Sequence, residues 1–500
     1  MNNTTVNIQA EIPTTQPKAL YVLFLAELWE RFSYMGVRVL LILYMTSQLK
    51  YSDSFSYGIY GMFFTLVYAS NLIGGYLADR YLGNRITILL GGCFMITGHI
   101  CMALPFEEIL TFGLAFIIIG TGFFKVNISS LLGQYYHPHD PRRDSGFTIF
   151  YMGINIGGLL APILCGYVGM KYGWHYGFGL SGLGMSLGML TFILGRPMLG
   201  SYGQSPLGNK LHDRALFNLS RLHWIIITSL CSIPLISSLI QQHQEMEIIL
   251  YALGSIMLLS VIWMAMKCEG DEKKRMLTLI AMLPFYLAFW ASFEQAGASI
   301  NLFTERHVHR VFMGMEIHTT LFQSLNPLFI IMLAPFLSGL WLYLGKRGKE
   351  PPTPIKFALA LFFVGLSFWF LKIGVQEASI NGMASMIWVI LAFLLQSTGE
   401  LFISPVALSM VTKLAPARFS SFMMGSLFLS MAFAHFTAQQ IAKYFSAAQE
   451  VSTVENITEV GNSLAIFKDI FDFLIYFPIL MGLVMLLCYP LFKNVFKKYS

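Results

Sequence analysis

Charge is what this chain of 500 residues has least of. Asp, Glu, Lys and Arg make up 12 % of it, whereas hydrophobic residues make up 56 %. An ordinary soluble domain carries about 25 % charged residues, so a soluble globular body is excluded. Cysteine is also sparse. The six cysteines form no C-x-x-C pair, and five of them lie in apolar stretches, which excludes a disulfide framework or a zinc ribbon. No H-E-x-x-H occurs. His99 and His435 each stand alone and read as packed residues, while His137, His139 and Asp140, like His307 and His309, gather only in loops. An enzyme working inside a membrane needs a nucleophile–base pair or a metal-ligand set within its spans, and neither is found. Neither catalysis nor a metal is expected. Residues 1–17 lack the basic start and cleavage pattern of a signal peptide and read as a tail.

Long apolar runs are what the chain has in abundance. Those of about 18–25 residues read as transmembrane helices. They fall at 19–47, 57–78, 86–105, 109–132, 146–170, 175–195, 222–241, 247–266, 276–303, 320–344, 355–373, 384–412, 420–446 and 467–492, fourteen in all. With the N-terminus inside, most of the 32 lysines and arginines fall in cytoplasmic segments. The outer segments hold only Lys50, Lys171, Arg306, Arg310, Lys372, Lys443 and Lys468. This bias puts both termini in the cytoplasm of a multi-pass protein of the cell inner membrane. The net charge of +6 reflects that topology and gives no reason to invoke nucleic acid.

The expected organisation is a tail (1–17), an N-terminal six-helix bundle (18–195), a linker with two extra transmembrane helices (196–275), a C-terminal six-helix bundle (276–492) and a second tail (493–500). The linker start, Arg196 to Arg221, is polar and punctuated by Gly, Ser and Pro. The extra helix pair carries no strong charge at its centre and reads as a peripheral hairpin. A repeat supports the two halves. Gly74-Gly75-Tyr76-Leu77-Ala78-Asp79-Arg80-Tyr81-Leu82-Gly83-Asn84-Arg85 follows span two, and Gly339 to Arg347 follows its counterpart, each with glycine, a tight loop and basic residues. The first string resembles the conserved loop of the major facilitator superfamily. The implied fold class is an all-α polytopic membrane protein whose repeated halves alternate access.

The rare charges inside the spans are the strongest functional signal. Glu27, Glu30, Arg31 and Arg38 lie in the first span with Tyr34 on one helical face. Lys125 lies in the span 109–132, Glu294 in the span 276–303 with Trp290 and Asn301 on its face, and Glu400 in the span 384–412 with Gln396 and Ser404 a turn away. Each such charge costs roughly 2.5–3.5 kcal/mol at mid-bilayer, so most are expected to pair across the halves and to face a protein-lined pathway. Four acids against three bases leave one carboxylate over, and a desolvated, partnerless carboxylate takes up a proton readily.

At this point the strings become recognisable. Glu27-Leu28-Trp29-Glu30-Arg31-Phe32-Ser33-Tyr34-Met35-Gly36 resembles the E-x-x-E-R-F-x-Y-Y-G signature of the proton-dependent oligopeptide transporter family. Phe150-Tyr151-Met152-Gly153-Ile154-Asn155-Ile156-Gly157 is similar to its second signature. Asp140 to Asp144, Phe293 to Gly297, Gln323 to Pro327 and Gly399 to Pro405 are further matches. The resemblance implies a proton-coupled symporter importing di- and tripeptides. Arg31, Lys125 and Arg38 would receive the peptide carboxylate, and Asn155, Asn326 and Glu400 its amino terminus. Tyr34, Tyr68 and Trp290, with Ser404 and Glu294 nearby, would line the substrate site. Glu27, Glu30, Arg31 and Glu294 would serve proton coupling, and the pairs Arg38–Glu294 and Lys125–Glu400 would be the gate salt bridges. The implied partners are peptide, protons and the lipid bilayer, with no cofactor besides the coupling ion and a monomer as the working unit.

The chain departs from the pattern at Met35, Val126, Ala407 and Leu427, which bears on side-chain preference. Span two holds no histidine, so coupling through a histidine there is not expected. A carrier of the same fold for nitrate, another anion or an amino-acid derivative is the alternative. The intact E-x-x-E-R string and Glu400, which suits an amino group and repels anions, argue against it.

Overall fold

The computed structural model describes residues 15–136, 142–216, 218–416, 420–450 and 459–499. Apolar composition gives helices because only intra-segment hydrogen bonds satisfy the backbone in hydrocarbon. The first half contains α1 (Lys18–Leu43), α2 (Asp53–Leu77), α3 (Gly83–Ala103), α4 (Leu110–Gly133), α5 (Arg143–Ala161) with its continuation α6 (Tyr167–Tyr172), and α7 (Trp174–Leu194). A hairpin follows, α8 (Arg221–Gln241) and α9 (His243–Met266). The second half contains α10 (Gly270–Phe293) with its continuation α11 (Ser299–His307), then α12 (Leu325–Lys346), α13 (Thr353–Asn381), α14 (Ile387–Leu414), α15 (Ser420–Glu450) and α16 (Glu459–Tyr499). Among the described residues, ten helical stretches are long and apolar enough to cross a membrane, and one of them, Asp53–Ala103, holds both α2 and α3. Charge rather than length sets α1 apart from them, since four ionisable residues interrupt it.

Within the first half, helices approach closely through small residues. A Cβ at Gly74 of α2 would lie 1.9 Å from the carbonyl oxygen of Gly122 on α4, and one at Gly91 of α3 would lie 2.7 Å from that of Gly120. Such contacts replace the hydrophobic driving force that lipid does not supply between helices. In the second half α13 packs on α14 and α16, and α10 packs against α13, α15 and α16. The halves meet where α2 lies along α15 and α5 along α12. The hairpin leans on α4, where Thr111 and Ser237 hydroxyls hydrogen-bond at 2.8 Å, and on α15, where Gly254 faces Phe433.

The linker is built into the first half. Gly83, at φ +72°, ends the π-helical turn after α2, a conformation open to glycine without strain. Beside it Arg85 N donates to the Gly203 carbonyl at 3.0 Å, Arg85 Nη2 to the Gly200 carbonyl at 2.7 Å, and Ser205 Oγ to the Tyr81 carbonyl at 2.5 Å.

Three expectations change. The span 276–303 is not one continuous helix. It breaks at Glu294–Gly297 into a 3-10 turn, and Ala298 leaves the helical region at φ −119°, ψ −98°. A freed group finds its partner elsewhere, the Ala296 carbonyl accepting from Gln323 Nε2 at 2.5 Å, and the Gln295 side chain ties the turn to α15 by donating from Nε2 to the Ala438 carbonyl at 2.6 Å. Irregular backbone at membrane depth is tolerated only when protein satisfies it in this way. The second half begins at Gly270 rather than 276, and α16 runs on to Tyr499, so the expected tail 493–500 is helical as far as it is described. The cluster His137, His139, Asp140 and the start of the Asp140–Asp144 string lie outside the described residues.

Gly74→Val should separate α2 from α4. Overpacking of this kind costs about 1–3 kcal/mol. Thermal unfolding of the detergent-purified variant should show a lower midpoint, and an unchanged midpoint would mean that the two helices can slide apart freely.

Candidate functional site

The charged face of α1 supplies one wall. Glu27 and Glu30 are 1 % and 0 % exposed. Arg31 Nε lies 3.4 Å from Glu27 Oε1 and 3.7 Å from Glu30 Oε2, so this cation is held by its own helix. Both Glu30 oxygens and Glu27 Oε2 are buried without a hydrogen-bond partner. Lys125 of α4 reaches the same face. Its ammonium sits 5.5 Å from the Tyr34 ring centre and 4.3 Å from that of Tyr68, while the Arg31 guanidinium is 5.6 Å from Tyr34. Aromatic faces stabilise a cation such as Lys125, which makes no ion pair within 4 Å among the described residues although its charge acts on Glu27 and Glu294.

The second half supplies the facing wall. Asn326 of α12 donates from Nδ2 to Glu400 Oε2 at 2.9 Å and to Ser397 Oγ at 3.1 Å, which fixes the Glu400 carboxylate from the neighbouring helix. Trp290 Nε1 and Ser404 Oγ are buried with no partner. Asn155, on α5 of the first half, turns its amide back to the Tyr151 carbonyl at 3.0 Å.

The walls are locked together at the end opposite the start of α1. Arg38 Nη2 contacts Glu294 Oε2 at 2.7 Å, with the side chains 12 % and 3 % exposed. Arg306 forms a bidentate pair with Asp53 at 2.6 and 2.7 Å. Thr65 Oγ1 of α2 reaches the Ala432 carbonyl of α15 at 3.3 Å, and Ser324 Oγ reaches the Leu159 carbonyl at 3.0 Å. Asn301 Nδ2 lies 3.5 Å from the Val39 carbonyl.

The charges therefore pair differently from the expectation drawn from their number. Among the described membrane-embedded groups, only Arg38 and Glu294 form an ion pair across the halves, because Arg31 is satisfied locally at spacing i, i+4. Among the described residues no ion pair within 4 Å joins Lys125 to Glu400: Lys125 rests on tyrosine rings and Glu400 on Asn326. Trp290 keeps its place one turn before Glu294, whose N–H still bonds to the Trp290 carbonyl, but Asn301 does not share their helical face, since the backbone breaks at Ala298. His435 is not a lone packed residue either. Its ring stacks on Tyr68 at 4.8 Å, and Nδ1 lies 3.5 Å from Glu294 Oε2. The signal was present, since a histidine in mid-span is ionisable and rare at that depth. Its partner, however, lies on another helix.

Two six-helix halves, closed at one end over a buried seam of opposed charges, define a secondary transporter of the major facilitator architecture. Residues 85–460 match the family model described as POT family, and the chain belongs to that family. An uncharacterized transporter of Bacillus subtilis (strain 168), YclF, is 37 % identical over 444 residues, covering 87 % of this chain and 89 % of that one. A di-/tripeptide transporter of Lactococcus lactis subsp. lactis (strain IL1403) is 35 % identical, covering 87 % and 91 %. Among solved structures, a mutant of peptide transporter POT in complex with alafosfalin superimposes with a TM-score of 0.81 at 34 % identity, covering 96 % of both chains.

Glu294→Gln keeps the shape and removes the charge that Arg38 meets. Breaking a buried pair from one side costs about 3–5 kcal/mol, enough to invert a two-state population. Spin labels at Lys50 and Met313, in a background without native cysteines, should report a longer mean separation in this variant. Unchanged distances in a folded variant would make the pair a static strut.

Proposed function

We propose that this protein is a proton-coupled symporter that imports di- and tripeptides across the cytoplasmic membrane by alternating access, with both termini inside. The observation that carries this reading is the polarity of the two walls. Arg31 and Lys125 stand on one half, Glu400 held by Asn326 stands on the other, and an extended zwitterion with a carboxylate and an ammonium fits that arrangement. The names borne by the relatives point to the same substrates.

On this reading the closed end is the outer one, and the structure is the inward-facing state. Arg38–Glu294 and Asp53–Arg306 hold the outer mouth shut. Lys125 and Glu400 are free of each other and available to the peptide termini. Lys125 meeting Glu400 would close the inner side in the alternate state, and only the differential between the two sets of contacts needs to change sign for the seam to rock. Glu27 and Glu30, buried beside one arginine, carry more negative charge than that arginine neutralises, so a proton completes the cluster. The peptide carboxylate competes with these acids for Arg31, which ties proton uptake to substrate binding. Tyr34, Tyr68 and Trp290 offer aromatic surface to side chains without specifying them. One chain contains both walls and both gates, so a monomer suffices for the cycle.

Glu27→Gln and Glu30→Gln should each abolish accumulation driven by a pH gradient in proteoliposomes while leaving some peptide exchange between equal pools. Undiminished uphill transport in both would remove these acids from coupling.

Termini recognised by charge-assisted hydrogen bonds contribute about 1.5–3 kcal/mol each. An N-acetylated or C-amidated dipeptide should therefore compete roughly ten- to hundredfold more weakly than the free one. Equal competition by the doubly blocked form would sink the two-ended site.

A further inference from the structure

His435 lies within α15, 1 % exposed, and neither ring nitrogen has a hydrogen-bond partner. Burying an imidazole unpaired is costly, so an orphan of this kind asks for an explanation. Its surroundings supply one. The nearest ring nitrogen, Nδ1, stands 3.5 Å from Glu294 Oε2, the same oxygen that Arg38 Nη2 holds at 2.7 Å. One carboxylate oxygen thus has two suitors, and the arginine has it.

The two suitors belong to different halves. His435 and Glu294 both lie in the second half, while Arg38 belongs to α1. The rings stacked on His435, Tyr68 at 4.8 Å and Phe64 at 5.6 Å, belong to α2. Arg38 and Lys125 are the cations whose charge acts on the ring, and Lys125 stands 4.3 Å over Tyr68. Opening the outer seam therefore withdraws Arg38, Lys125, Tyr68 and Phe64 together. Glu294 and His435 are left facing each other.

We infer that His435 takes over the Glu294 carboxylate from Arg38 when the seam opens, so that the two residues form one proton-holding pair. A proton from the outer water enters between Nδ1 and Oε2, and the pair becomes net neutral whichever atom holds it. No other bond forms or breaks. On closure the Arg38 guanidinium returns to Oε2, the proton is released to water on the open, inner side, and the carboxylate remains compensated throughout. With Arg38 in place, a proton on the ring would face the charges of Arg38 and Lys125, which disfavours occupancy by both. A peptide carboxylate resting on Lys125 weakens one of those cations, so substrate and proton act on the same ring. His435 is in this sense a coupling residue on the C-terminal half, complementary to Glu27 and Glu30 on the N-terminal half.

This inference rests on the symporter reading, and the test separates the two. Wild type, H435Q and H435N are reconstituted, and dipeptide uptake driven by a pH gradient is measured across external pH values, alongside counterflow at equal pH. H99Q is the control, because His99 is equally buried, with neither ring nitrogen hydrogen-bonded, and has no ion-pair partner among the described residues. The expected result is that the pH midpoint of driven uptake in H435Q and H435N moves acid by about one unit, a tenfold higher proton demand. Counterflow should fall less than driven uptake, and H99Q should keep the wild-type midpoint. The separation of labels at Lys50 and Met313, titrated against pH, should show the same displaced midpoint in the His435 variants. This second readout serves if transport by a variant is too slow to measure. A wild-type midpoint in both His435 variants, by uptake or by label distance, overturns the inference while leaving the symporter reading intact. If the wild type shows no dipeptide counterflow, the symporter reading fails, and the label titration still decides whether His435 and Glu294 bind a proton together.

Discussion

Glu294 is a carboxylate in a place where water cannot solvate it, and the positive charge that compensates it comes from the other half of the molecule. That arrangement makes the closed mouth an electrostatic object. The two bundles could pack as separate bodies through their glycine-lined and apolar interiors, but this carboxylate is compensated by an arginine only when the halves are in register at one end. The surface pair Arg306–Asp53 and the hydroxyl bonds of Thr65 and Ser324 reinforce the same registration. These polar contacts are seated in the apolar packing of α2 on α15, so both hold the mouth. Rocking one half against the other disturbs the contacts across the seam and leaves those within each half alone.

Charge on the α1 face is organised on the opposite principle. Glu27, Glu30 and Arg31 sit within two turns of one helix, so they move as a unit and their mutual contacts do not report which end is open. On the proposed reading, what changes around them is the ligand or proton that completes the excess negative charge. A local cluster proposed to sense protons and substrate, combined with an inter-half pair that depends on geometry, would give the two coordinates a coupled carrier requires. Lys125 stands between them, on aromatic rings instead of a carboxylate, and so remains available to either an anion or Glu400.

Much of this was legible in the residue order. The helical arc that collects Glu27, Glu30, Arg31, Tyr34 and Arg38 follows from 100° per residue, and the cost of a charge in hydrocarbon makes each intramembrane acid or base conspicuous without coordinates. The strings around Glu27, Asn155, Glu294 and Glu400 marked the family. The break at Glu294–Gly297 was not legible, because the side chains that satisfy its backbone, Gln323 among them, come from other elements, and an apolar run reads the same whether it is bent or straight. His435 was visible as a residue but not as a neighbour.

Sequence alone determined which segments lie in the membrane, because hydropathy is a property of each segment with respect to lipid and needs no partner. It also determined which residues had to be sheltered, since the desolvation cost belongs to the single side chain. Which sheltered residues meet was decided only by the tertiary structure. Arg31 could have crossed the seam as Arg38 does, and Lys125 could have taken Glu400. The choice among these pairings depends on where two rigid bundles sit relative to each other, a relation between residues as far apart in sequence as 38 and 294 that no local pattern encodes.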